Sequence, residues 1–179
     1  MPISVQLTRK FDQIVVKSRI KECESAIDSL RRRLEGGTFD PELPGGYSLT
    51  TLKDLAGVRI LAFPRSHVPE IDVVVRSEFP GWKADHEPHR ERPDETMFFK
   101  YHGHCVASSK ISCECQIVPR LLGLFWEIEH AAIYKPDPRL KGATKEPAMQ
   151  AHVHEVERAL ADFEREFEIL IGGEIADHR

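Results

Sequence analysis

In residues 111–118, ISCECQIV, a carboxylate and an amide alternate with small and apolar side chains. If the segment is a strand, Glu114 and Gln116 share one face and Cys113, Cys115 and Ile117 share the other. The second face is fit for a core. The first offers an acid beside a hydrogen-bonding amide. A carboxylate there can take a proton from an attacking hydroxyl or bind a hard cation. The same alternation also describes a wet sheet face, so the pair needs company before it means chemistry.

Two other clusters break apolar patterns. Arg59 lies inside GVRILAF, the most apolar strand-like run of the chain. A guanidinium there is costly unless it is paired or bound. The alternative is an edge strand from which Arg59 snorkels to water. Asp54 stands just before that run. Two carboxylates from separate segments, such as Asp54 and Glu114, suit Mg²⁺, which takes one or two carboxylates plus substrate phosphate oxygens. Arg19 and Lys21, with Ser25 close behind, mark a strand-to-helix junction. A basic pair there can hold phosphates, helped by the amides of the helix start. The plainer reading is a solvated helix start.

Other chemistries lack their residues. There is no GxxxxGK[ST], no Rossmann glycine fingerprint and no kinase set. Cys23, Cys105, Cys113 and Cys115 show no CxxC pairing and no zinc-finger spacing. His86 and His89 make no HExxH. His102 and His104 share a strand face without a third ligand beside them. His152 and His154 do not share a helix face and read as surface residues. The net charge of −4 gives no global pull on polyanions, so binding one needs a local basic patch. No apolar run approaches the ~20 residues of a membrane span. Residues 1–17 carry no secretory signal, and the cysteine usage fits a reducing cytosol, so a cytoplasmic location is expected.

Periodicity predicts the elements that position these residues. Residues 11–17 read as a strand. Residues 22–34 read as a helix with an apolar stripe of Ala26, Ile27, Leu30 and Leu34, ended by Gly36-Gly37. Residues 36–47 are a loop dense in Gly and Pro. Residues 48–55 give one or two helical turns capped by Ser48 or Thr50. Residues 57–63 form a strand, 68–78 a helix and 83–96 a loop. Residues 98–107 and 111–118 form a hairpin. Pro119 breaks its second strand, and 121–134 follows as a helix. Residues 146–171 form a long helix with Val153, Val156, Leu160, Phe163, Phe167 and Leu170 as its stripe, ended by Gly172-Gly173. Such a stripe can pack on its own sheet or join copies of the chain. The element order predicts one α/β (α+β) domain over residues 1–179, a mixed β-sheet of about five strands flanked by helices.

Taken in order, SRIKECESAIDSL, KDLAGVRI, and CECQIVPR followed by FWEIEHAAIYK resemble the synthetase domain of the RelA/SpoT family, the (p)ppGpp synthetases. The likeness spans residues 16–135. It implies a nucleotidyltransferase-like fold, and transfer of the β,γ-pyrophosphate of ATP to the 3′-hydroxyl of GDP or GTP with Mg²⁺. By the same resemblance, Arg19 and Arg59 would sandwich the adenine, and Lys21 and Ser25 would hold the ATP phosphates. Asp54 would bind the metal. Glu114 would complete that site and activate the hydroxyl. Gln116 would support the acceptor, and Glu129 and His130 would buttress the site.

The acceptor loop departs from the family pattern N-P-K-x-x-G-Y-R-S-[LI]-H and reads HRERPDETMFFKYHGHC. Tyr101 is the candidate to stack on guanine, with His104 after it, and Lys100 is the other occupant of that column. Arg90, Arg92 or Lys100 would bind the acceptor phosphates. The departure keeps two alternatives open. One is a toxic relative that modifies adenine nucleotides or the 3′ end of tRNA. The other is a non-enzymatic nucleotide-binding module. The length implies a small, single-domain synthetase of this family, or a piece of a longer one.

Overall fold

The apolar run around Arg59 becomes an interior strand in a computed structural model of the chain, which describes residues 7, 9–37, 48–85, 98–106, 108–134 and 146–177. The sheet has five strands in the order β1 (Gln13–Ile20), β2 (Ala56–Phe63), β5 (Ser108–Pro119), β4 (Phe99–Cys105) and β3 (Lys83–Ala84). β2 and β5 are parallel, and the other neighbouring pairs are antiparallel. With helices α1 (Cys23–Glu35), α2 (His67–Glu78), α3 (Arg120–Glu129) and α4 (Pro147–Asp177), this is the expected mixed α+β architecture. β2 lies between β1 and β5, so Arg59 is not on an edge.

Period-two alternation assigns the faces. Ile60, Ala62, Tyr101, Cys115 and Ile117 pack against Val68, Ile71 and Val75 of α2. Leu61 and Val118 point the other way and pack against Leu122 of α3, with Val15, Phe98 and Trp126 around them. Glu114, Gln116 and Arg59 share the parity of Val118 and Leu61, so they fall on the α3 face.

Several expected boundaries move. β1, expected over 11–17, starts at Gln13 and runs to Ile20, so Arg19 lies within the strand. The 48–55 segment is a single 3₁₀ turn, Leu49–Thr51, with the Ser48 hydroxyl accepting from the Thr50 amide. Lys83 and Ala84, expected in a loop, pair with His102 and Tyr101. The helix expected over 121–134 is α-helical to Glu129 and then widens into a π turn, His130–Tyr134.

α4 differs most. It runs through Gly172-Gly173 to Asp177, because a glycine costs a helix only about 1 kcal/mol. Val153 is buried as expected, and Phe167 packs on Phe11 and Phe63 with ring centroids 5.2 Å apart in both pairs. Val156, Phe163 and Leu170, expected on the same stripe, are exposed. Carboxylates take their place on the inner face. Glu164 is 2% exposed and accepts from the Leu121 amide at the start of α3. Glu168 accepts from Arg65 and from the Ser66 amide just before α2. Glu157 accepts from the Trp126 indole. Acids at helix starts satisfy amides that have no partner within the helix.

Burial pushes the Glu164 carboxyl up to about 7, against the pull of the Leu121 amide, with Glu168 adding to the rise and Arg65 opposing it. A folded pKa above the unfolded value of 4.5 favours the protonated form in the fold. Its contribution is therefore full below about pH 4.5 and is lost as pH rises through about 7, on the order of 3 kcal/mol in total. Urea unfolding between those limits should show this fall in the parent and not in Glu164→Gln. An equal fall in both proteins would remove Glu164 as its source.

Gly123 is where α3 touches β2. A Cβ there would stand 2.3 Å from Cδ2 of Leu61, a fully buried side chain. Gly123→Ala gains about 1 kcal/mol of helix propensity. Overpacking of this kind costs about 1–3 kcal/mol, so net destabilisation is expected in denaturant titration. A more stable variant would mean that α3 can slide.

Candidate functional site

Sheet register builds two cross-strand rows on the α3 face. Arg19 of β1 pairs with Gly57 of β2, Gly57 with Glu114 of β5, and Glu114 with His102 of β4. In the adjacent row Lys17 pairs with Arg59, Arg59 with Gln116, and Gln116 with Lys100. Segments far apart in sequence thus deliver their polar residues to one surface on rigid backbone.

The side chains form a continuous relay. Glu127 of α3 accepts from Lys17 Nζ at 2.7 Å and lies 3.8 Å from Arg59 Nη1. Arg59 Nε donates to Gln116 Oε1 at 2.8 Å, and Gln116 Nε2 donates to Glu114 Oε1 at 2.6 Å. The other oxygen of Glu114 is 3.2 Å from Lys100 Nζ, which is 3.4 Å from Asp85 Oδ2. That Asp85 oxygen is 3.1 Å from His102 Nε2. Glu114 is a buried acid with both oxygens engaged, as an acid at low exposure must be. Burial would lower the Lys100 pKa, but the charges of Glu114 and Asp85 outweigh it and hold the ammonium as a cation. Burial lowers the Arg59 pKa, while Glu127 opposes that fall.

A second group lies at the end of β1. Lys21 Nζ donates to both oxygens of Asp54, at 2.9 and 2.7 Å. The Lys21 amide donates to the Leu55 carbonyl at 2.8 Å, which ties this junction to the start of β2. Burial alone would raise the Asp54 pKa. The Lys21 hydrogen bonds and charge, with the charge of Arg19, overturn that and keep Asp54 an anion. Arg19 also depresses Arg59, so it joins the two groups electrically. Its side chain lies across Gly57, where a Cβ would be 3.4 Å from both its Cγ and Nε. An alanine Cβ would only touch Arg19 there, and a bulkier side chain at 57 would have to displace it. Ser25 sits in the first turn of α1.

Strand parity relocates one expectation. Tyr101, the candidate for stacking on a base, is 3% exposed on the α2 face. Its hydroxyl donates to Asp72 and accepts from Arg76 Nε at 2.8 Å. Tyr101 is a core residue because it pairs with Cys115, one step out of phase with Glu114. Lys100, the other candidate for that column, reaches the relay. His104 has the parity of Lys100 but is exposed farther along β4, opposite Ser112. Arg90 and Arg92 lie outside the described residues. Glu129 closes α3 and His130 opens the π turn.

Glu127, Lys17, Asp85 and His102 join the site without having been singled out for it. Glu127 and Glu129 are two apart, so they point to nearly opposite sides of a helix. Only the rotation of α3, fixed by Leu122 against Leu61 and Val118, selects Glu127. Asp85 follows a two-residue strand too short to leave a periodic signal. Among the described residues no three His, Cys, Asp or Glu side chains converge on one point. No described helix is long and apolar enough to cross a membrane.

No protein-family model and no curated protein matches the chain. Solved structures do match it in fold. Small alarmone synthetase 1 from Bacillus subtilis bound to its product pppGpp aligns with a TM-score of 0.59 at 17% identity, over 89% of this chain and 78% of that one. The same protein bound to AMPCPP aligns with a TM-score of 0.54 at 20% identity, over 90% and 78%. The chain shares the fold of that synthetase, a mixed sheet flanked by helices, as its three motifs implied.

Proposed function

We propose that this chain moves the β,γ-pyrophosphate of ATP onto the 3′-hydroxyl of a guanine nucleotide, GDP or GTP. The observation that carries this is the relay itself. Arg59, Gln116 and Glu114 come from two separate motifs and make direct hydrogen bonds on one sheet face, with Arg19 and the Lys21–Asp54 pair beside them. The neighbours in fold bind an ATP analogue and pppGpp, which supports the same substrate class here.

The residues suit the steps. Arg19 and Arg59 offer planar guanidinium faces to a purine. Lys21 passes from Asp54 to the ATP phosphates, and Ser25 adds a hydroxyl in the first turn of α1. Asp54 and Glu114 fit Mg²⁺ by their donor chemistry, two oxygen ligands with room left for phosphate oxygens. When bound, Mg²⁺ would neutralise charge on the transferred group. Glu114 accepts the proton of the 3′-hydroxyl, whose oxygen bonds to the β-phosphorus. The bond from that phosphorus to the α,β-bridging oxygen breaks, and AMP leaves with the electron pair. Positioning and charge neutralisation supply most of such a rate enhancement.

The burial of Tyr101 favours one variation on the acceptor. Tyr101 faces α2, so stacking on the acceptor base does not fall to it. An adenine nucleotide or the 3′ end of tRNA would serve the same donor chemistry. Incubating the chain with γ-³²P-ATP, Mg²⁺ and GDP, GTP, ADP or bulk tRNA separates these cases. Label on GDP or GTP supports the proposal. Label on ADP or tRNA transfers the proposal to that acceptor. ATP binding without transfer to any of them would leave a nucleotide-binding module and refute the enzymatic reading.

A further inference from the structure

Asp85 belongs to none of the three motifs, yet it reaches the centre of the relay. Its backbone amide donates to the Lys100 carbonyl at 2.8 Å, extending the β3–β4 pairing. Its carboxylate is anchored by His102 Nε2 at 3.1 Å. The Lys100 ammonium thus sits between two acids at nearly equal distance, 3.2 Å from Glu114 and 3.4 Å from Asp85. A carboxylate neutralised by an ammonium is a poor base and a poor cation ligand. Glu114 can act only when Lys100 moves away. An ammonium that leaves one partner in a half-buried site without finding another is strongly destabilised.

We infer that Asp85 is a positioning residue that takes Lys100 from Glu114 and so frees Glu114 for the reaction. This rests on the proposed transfer activity. His102 fixes the receiving carboxylate in place. Lys100 stays paired throughout, first with both acids and then with Asp85.

A double-mutant cycle tests the coupling. Asp85→Asn keeps the shape but removes the charge that would hold the ammonium, so kcat should fall about tenfold while both KM values stay within about twofold. Lys100→Met carries its own cost. In that background the same Asp85→Asn change should alter kcat by less than about twofold, because no ammonium remains to be moved. An equal loss in both backgrounds, or no loss in the first, would overturn the inference. AMPCPP titration should give affinities within about twofold for all the variants, and a collapse of binding would instead make Asp85 a structural residue. If the unmodified chain transfers nothing to any acceptor, the proposed function itself fails. If it transfers and the cycle is additive, only the role of Asp85 fails.

Discussion

Glu114→Gln should lower pyrophosphate transfer by at least about a thousandfold, while ATP affinity in Mg²⁺ falls by no more than the roughly tenfold of one lost carboxylate ligand. The amide keeps the size of the acid, and its oxygen can still accept from Gln116 Nε2, which now approaches Oε1 at 2.6 Å. It cannot take a proton from a hydroxyl, and it is a weak ligand for a hard cation. Lys100 keeps Asp85 as a partner, so the site loses chemistry without gaining a stranded charge. The split between kcat and binding is the signature, read by steady-state kinetics beside AMPCPP titration. Retention of full activity would remove Glu114 from the mechanism. Loss of ATP affinity of the same size would make it a donor-side binding residue.

Asp54→Asn should act on binding as well as rate. In the parent, Asp54 is an anion held by two hydrogen bonds from Lys21. Neutralising it removes a hard-cation ligand and releases the Lys21 ammonium. Transfer should fall by about a hundredfold or more. ATP affinity in Mg²⁺ should fall, by roughly tenfold, as one carboxylate ligand is lost. In EDTA the sign should reverse, because the freed Lys21 meets bare phosphates with no competing carboxylate. Calorimetric titration of AMPCPP with and without Mg²⁺ reads both signs. Unchanged Mg²⁺ dependence would contradict the place given to Asp54.

Much of this geometry was legible in the chain. The alternation at 111–118 fixed which residues of β5 share a face, because a strand has a period of two whatever its neighbours are. Arg59 was conspicuous because a cation in GVRILAF demands a partner, and Gln116 is the hydrogen-bonded one. Lys100 and Tyr101 could not be told apart. Each strand alternates, but pairing between strands decides which phase faces the site, and Cys115 took Tyr101. Glu127 was hidden by helix rotation, and Asp85 by the brevity of β3. On α4 the apolar stripe misled, because helix starts under it recruited Glu164 and Glu168 inward and turned Phe163 and Leu170 out.

In the proposed reaction ATP is cut between its α- and β-phosphates and the pyrophosphate reaches a ribose hydroxyl. Phosphorus NMR of the chain with ATP, Mg²⁺ and an accepting nucleotide follows every phosphate at once. The expected result is AMP accumulating in equal amount with a new diphosphate ester on the acceptor. Accumulation of ADP with phosphate, or ATP left intact beside every acceptor offered, would contradict it.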